Sequence, residues 1–215
     1  VNFSSYEEFR HRLLMLIEET DEPSTDNITS LDTMIGLGEG LVHYGGNFAA
    51  DGRSIGPLRA SSMQADLSAP IADNAAPVPD DCLELAILWL ADGAPLEIVA
   101  ERDLRTRLRH VGGGVPRKAA QAGDSIIFSP AAADDEVLSG RYYARPAALK
   151  DELHPTFQRY PELYLYAALA SAAPFYGMEH KLPVWGAAYS QLLDQANRQE
   201  RMRVSAGGRL RQVSR

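Results

Sequence analysis

Five histidines, His11, His43, His110, His154 and His180, are the side chains best suited to proton transfer or metal ligation, and none has the His-x-x-x-His spacing of a helix-borne ligand pair. The single cysteine, Cys82, excludes an intramolecular disulfide and any multi-cysteine zinc site. Asp80–Asp81 and Asp134–Asp135 could work as paired carboxylates, but each pair lies in turn-like sequence, where aspartate bonds the local backbone. "HVGGGVP", His110–Pro116, could offer N–H groups to a phosphate. It follows a helical pattern, however, where glycine is the usual terminator, and no Lys-Ser or Lys-Thr follows it. "GLGEG", Gly36–Gly40, is an incomplete dinucleotide fingerprint, and Gly123-Asp124-Ser125 lacks the Gly-x-Ser-x-Gly frame of a nucleophile elbow. The residue types and spacings give no catalytic constellation, no metal set and no cofactor motif, so the chain reads as a protein that is not an enzyme.

Charge points elsewhere. The last eighteen residues, "RQERMRVSAGGRLRQVSR", hold six arginines against Glu200 alone, so within a net charge of −8 the preceding 197 residues carry −13. Arginine forks suit carboxylates and phosphates alike. Arg198, Arg201, Arg203, Arg209, Arg211 and Arg215 alternate with Met202, Val204, Leu210 and Val213, a pattern that suits an extended segment docking on an acidic, partly apolar surface. A solubilising terminus is the plain alternative. Nucleic acid would attract the same arginines, but the acidic body repels phosphates, which favours a protein partner.

These residues need elements to carry them. Ser4–Glu19 predicts an amphipathic helix, with Ser4 or Ser5 at its cap, Glu7 and Glu8 at the positive end of its dipole, and Phe9, Leu13, Leu16 and Ile17 on one face. A second helix is expected from about Thr29 to His43, at a cost of roughly 1 kcal/mol for each glycine of "GLGEG". From Gly45 the frequent glycines and prolines indicate loops and short strands. Two apolar runs about Asp92–Gly93 signal a hairpin. After the short helix "ERDLRTRLRH", strands are expected around Arg117–Ala122, Ser125–Ser129 and Val137–Ala144 as an antiparallel unit. The helical period returns with Pro161 in the first turn of one helix and Trp185, Tyr189, Leu192 and Ala196 striping the next. The chain thus reads as α+β: a helical bundle from 1–59 and 145–197, an inserted antiparallel β domain from 60–144, and an extended basic tail from 198–215.

Hydrophobic content of 45% with 23% charged residues is that of a folded protein. No apolar run approaches the ~20 residues that span a bilayer, the start lacks the order of a signal peptide, and one cysteine fits a reducing compartment. A soluble protein made in the cytoplasm, with no membrane partner, is the expectation.

"RYPELYLYAALASAAPFYGMEH", Arg159–His180, carries no charge between Glu162 and Glu179. Its alanines and serines allow close helix approach, and its tyrosines bury area while keeping a hydroxyl. Leu163, Tyr166, Ala167 and Ala170 form one stripe, with Tyr164, Ala168 and Ser171 beside it. Such a helix is central in a bundle or is covered by another subunit. Tyr166 and Trp185 are expected in the core between the last two helices.

The order "PDDCLEL" (Pro79–Leu85), "GAPLEIV" (Gly93–Val99), "YYARPAAL" (Tyr142–Leu149), "RYPELYLYAAL" (Arg159–Leu169), then a Trp-containing helix ending "NRQERMR", resembles the head-to-tail adaptors of tailed bacteriophages, also called tail accessory factors or head completion proteins, especially those of short-tailed phages. The likeness is strong over about residues 60–203 and departs at "GLGEGLVHYGGNFAADGRSIG", where the family shows a cleaner second helix with a basic residue. The resemblance implies a virion structural protein. Twelve copies would form a ring under the portal protein, with the C-terminal segment reaching onto the portal. The ring would extend the channel through which DNA passes without sequence-specific binding, and would meet the tail nozzle or tube below. The portal-binding residues would be Arg198, Arg201, Arg203, Val204, Arg209, Leu210, Arg211, Val213 and Arg215. Two other readings stay open on the residues alone: a hydrolase-like enzyme with its site in the β domain, and a DNA-binding accessory protein acting through the tail.

Overall fold

The computed structural model describes residues 2–18, 28–47, 54–91, 93–108, 114–134 and 136–207. The chain divides into two compact units, one formed by Val1–Ser62 with Pro146–Arg215 and the other by Met63–Arg145.

The first unit is helical. Helix α1 (Tyr6–Glu18) starts where Ser5 Oγ accepts the Glu8 N–H at 3.1 Å while the Glu8 carboxylate accepts from Ser4, so the cap is closed reciprocally. Helix α2 (Ile28–Tyr44) leads into a two-stranded ribbon of β1 (Gly46–Asn47) and β2 (Ser54–Ile55). After the sheet unit come α4 (Pro155–Arg159), α5 (Pro161–Ala172) and α6 (Leu182–Gly207). Tyr160 is both the C-cap of α4 and the N-cap of α5, and Pro161 opens α5 in the position where its missing N–H costs nothing.

Helix α5 is central in this unit. Leu163, Tyr164, Leu165, Ala167, Ala168, Leu169 and Ala170 are all buried, which answers the uncharged stretch: packing within the chain consumes nearly its whole circumference. Of the tyrosines on this helix Tyr164 is the buried one, whereas Tyr166, expected in the core, is only half-buried. On α6 the buried stripe runs through Trp185, Tyr189, Leu193, Ala196 and Glu200, with Leu193 in the place expected of Leu192. The stripe through Tyr166 and the one through Tyr164 are both apolar on so apolar a helix as α5, and periodicity alone does not rank them.

"GLGEG" is helical because one of its glycines is a packing site. A Cβ built on Gly38 would lie 2.7 Å from the backbone nitrogen of Ala168 and 2.8 Å from its Cα, so α2 and α5 touch backbone to backbone. At Gly36 and Gly40 no atom of the described residues lies within 4 Å of where a methyl group would stand. Alanine on one side and glycine on the other permit this approach, and the helix cost of Gly38 is offset by the packing it allows.

The second unit carries a seven-stranded sheet in the order β3 (Gln64–Pro70), β9 (Val137–Ala144), β5 (Cys82–Trp89), β6 (Pro95–Ile98), β7 (Lys118–Ala122), β8 (Ser125–Ser129), β4 (Ala75–Pro77). The expected hairpin about Gly93 and the three strands after α3 (Glu101–Leu108) are all present. The sheet is mixed, however, and not antiparallel throughout: β6 and β7 run parallel, Glu97 opposite Lys118 and Ile98 opposite Ala119. The cause is the helix between them, since a strand–helix–strand crossover returns the chain in the same direction. Leu67, Leu85, Leu88, Leu96, Phe128 and Leu138 are among the side chains of one core to which both sheet edges contribute.

The acidic pairs have structural work here. Asp81 Oδ1 accepts the Tyr142 hydroxyl at 3.0 Å, and Asp134 Oδ1 accepts the Asp73 N–H at 2.9 Å. Asp73 and Asn74 hold positive φ, 51° and 61°, in the turn before β4, and Asn74 Oδ1 accepts the Ala132 N–H at 2.8 Å. Gly123 and Asp124 form the tight turn between β7 and β8, with Gly123 at φ 62°.

Candidate docking site

Glu200 sits on α6 with only 3% of its surface exposed. A buried carboxylate must be paired, and four groups converge on this one. The Tyr160 hydroxyl donates to Oε1 at 2.6 Å, the Ser61 N–H to Oε2 at 2.9 Å, and the guanidinium groups of Arg159 and Arg203 stand 3.3 and 3.4 Å from Oε1. Burial would raise its pKa, but these donors outweigh burial and hold the carboxyl below its ordinary value. Tyr160 shifts upward, by burial and because its hydroxyl donates to Glu200.

One face of α6 grips the strand of chain before the sheet. Asn197, Glu200 and Arg203 recur three apart, so they lie on one side of the helix. Asn197 accepts the Arg59 N–H at 3.2 Å and donates to the Pro57 carbonyl at 3.2 Å; Arg203 Nη1 donates to Ser61 Oγ at 3.1 Å. Arg59 adds bonds from Nη1 to the His43 and Leu58 carbonyls, both at 2.9 Å. The end of α6 is therefore fixed in direction by hydrogen bonds at successive turns.

On the other faces the same stretch is open. Arg198, Arg201 and Met202 are exposed, Met202 at 70%, and Arg198 Nε donates to the Asp194 carbonyl one turn back at 3.2 Å. A pocket of about 440 Å³ lies between the start of α5 and α6, with Arg159, Tyr160, Pro161 and Leu163 on one side and Leu192 and Gln199 on the other. Arg159 is held for it: its Nε meets the Tyr160 hydroxyl at 3.0 Å as well as Glu200, and its guanidinium carbon stands 5.5 Å from the centre of the Tyr160 ring.

The helical unit also buries two histidines. His43 Nε2 and the Tyr164 hydroxyl share a hydrogen bond of 3.1 Å, and the His154 ring centre lies 6.2 Å from that of His43 and 5.6 Å from that of Tyr164. His154 Nδ1 accepts the Phe157 N–H at 3.1 Å and so caps α4, while its Nε2 is buried with no hydrogen-bond partner among the described residues. Burial pushes the His154 pKa down to about 4. Among the described residues there is no group of three or more His, Cys, Asp or Glu side chains placed to hold a metal ion.

Of the residues expected to bind a partner, Arg198, Arg201 and Arg203 lie on α6, and Val204 is in its last turns. Arg209, Leu210, Arg211, Val213 and Arg215 lie outside the described residues. The expectation of an extended segment is corrected for 198–207, which are helical. Arg, Gln, Glu and Met are strong helix formers, and no glycine or proline intervenes before Gly207. The alternation of arginine with apolar residues masked the three-residue recurrence of Asn197, Glu200 and Arg203. That recurrence, and a lone acid in an arginine run, were the available signals for Glu200.

These hydrogen bonds and ion pairs fix the direction of a basic helix end. Residues 13–212 match the family SU10 adaptor protein, and the chain belongs to this family of phage head-to-tail adaptors, structural proteins of the virion. No curated protein matches the chain. No helix among the described residues is long and apolar enough to cross a membrane.

Proposed function

We propose that this chain is the connector that assembles as a ring under the portal protein, extends the DNA channel and gives the tail nozzle or tube its platform. In this reading residues 198–215 dock on the portal. The observation that carries it is the Glu200 anchor, which commits a buried carboxylate, a tyrosine and two arginines to fixing one helix end whose outward face is Arg198, Arg201 and Met202. A solubilising terminus would gain nothing from being aimed. Planar guanidinium groups suit carboxylates on a neighbouring ring, and repetition around a ring makes many modest contacts strong together. Residues 208–215 add Arg209, Arg211 and Arg215 with Leu210 and Val213 as apolar anchors.

The test is attachment to portal-bearing heads. Deleting Ser205–Arg215, and separately changing Arg209, Arg211 and Arg215 to glutamate, should each reduce attachment at least tenfold; changing Arg198 and Arg201 to glutamate should do the same. If all three variants attach and seal heads as the parent does, the basic end is not the docking element.

A further inference from the structure

The pocket beside Arg159 is the feature that the docking helix alone does not use. We propose that it receives a peptide segment of the head-side partner that carries an apolar side chain next to a carboxylate, an inference that rests on the docking reading above.

Three observations define that occupant. First, the pocket offers apolar surface from Pro161, Leu163 and Leu192, and its 440 Å³ falls within the roughly 300–1,000 Å³ of ligand clefts. Second, Arg159 enters it as a fixed cation. Its Nε is committed to the Tyr160 hydroxyl and Glu200 and its side chain is 39% exposed, and a guanidinium held at Nε meets an incoming carboxylate along its Nη edge. The rim adds the carboxamides of Gln195 and Gln199, which suit the N–H and C=O groups of a peptide backbone. Third, the pocket is continuous with the outward face of α6. Leu192, Gln195, Gln199 and Met202 fall at i, i+3, i+7 and i+10, so the pocket and the exposed Met202 lie along one stripe of the helix that carries Arg198 and Arg201. A partner segment lying along this stripe meets arginines beside it and an apolar slot at its end. Continuity with the basic face selects an acidic protein segment over a small molecule.

The experiment uses the full chain and portal-bearing heads. Gln199→Trp, on the exposed rim of α6, should fill the pocket without touching the core; Gln191→Trp, exposed two turns earlier and outside the pocket lining, is the control. The expected result is a tenfold or greater loss of attachment for Gln199→Trp at an unchanged melting temperature, with Gln191→Trp attaching as the parent does. A second measurement does not depend on how that variant folds: a photo-reactive diazirine analogue of leucine in place of Leu192, which lines the pocket and is replaced at nearly equal size, should join this chain to the portal on irradiated heads. Parental attachment by Gln199→Trp overturns the proposal. So does a crosslink to a second copy of this chain, which would make the pocket a subunit boundary, or no crosslink at all. If the unmodified chain itself fails to attach, the docking reading has failed; if it attaches and the pocket results are negative, only the pocket assignment has.

Discussion

His154 and Glu200 make the helical unit acid-labile for opposite chemical reasons. His154 is 4% exposed, and its pKa of about 4 stands below the ~6.5 of a free histidine, so the unfolded chain takes up a proton that the folded one refuses. Its contribution to stability is complete above pH ~6.5, declines as pH falls towards 4, and by then has lost on the order of 3 kcal/mol. His154→Asn keeps an acceptor for the Phe157 N–H but cannot titrate, so urea midpoints followed by helical ellipticity should flatten between pH 6.5 and 4. Glu200 has its carboxyl depressed, so its share is present above the usual carboxylate range and is lost as pH falls through its lowered folded pKa. Glu200→Gln should lower stability by roughly 1.5–3 kcal/mol at neutral pH, the scale of hydrogen bonds to a charged group, and Tyr160→Phe should cost less because one donor of four is removed. Equal melting of Glu200→Gln and the parent would show that the anchor holds nothing.

Helices α2, α5 and α6 show what periodicity could and could not reveal. The existence of each helix, the hairpin about Gly93 and the strands β7, β8 and β9 were legible because their caps, turns and apolar runs are local. The parallel β6–β7 pairing was not, although α3 itself was evident, because direction is set by which strand the chain returns to. Helical 198–207 was hidden by an alternation that looks like a strand, and Tyr164 could not be preferred over Tyr166 where every neighbour is apolar. At the site, the arginines announced themselves by charge; Ser61, Tyr160 and Asn197, which position them, are distant in sequence and ordinary in type. "GLGEG" gives this scale its sharpest prediction, since one motif holds substitutions of opposite sign. Gly36→Ala and Gly40→Ala should each stabilise by about 0.5–1 kcal/mol, there being room for the methyl. Gly38→Ala should destabilise by roughly 1–3 kcal/mol, because a methyl there meets the backbone of α5, which cannot turn aside as a side chain would. Thermal melts of the three variants decide it, and a neutral Gly38→Ala would mean that α2 and α5 do not touch backbone to backbone.

For the whole molecule the governing quantity is the split between a body of −13 and an end of +5. Copies of such a body repel until the docking of each basic end on a partner holds them side by side, so light scattering of the isolated chain at physiological salt should report a monomer, and the proposed ring should appear only on heads. A stable ring without heads would overturn this. Attachment should weaken steeply as salt rises, since the screening length shrinks from about 8 Å at 0.15 M to about 3 Å at 1 M. The polarity is carried along one unbroken helix. Over its 26 residues α6 spans about 39 Å, with Trp185 buried near its start and Arg198, Arg201 and Met202 turned outward near its end. The two ends are consequently locked in phase. A single residue inserted between Trp185 and Asn197 advances everything beyond it by about 1.5 Å and rotates it by about 100°, swinging the arginines off their bearing although no arginine is lost. Seven inserted residues return the bearing to within about 20° but displace it by roughly 10.5 Å. Between those two residues the exposed positions are free to change their letters, the buried Tyr189, Leu193 and Ala196 are held by packing, and the number of residues is not free to change at all.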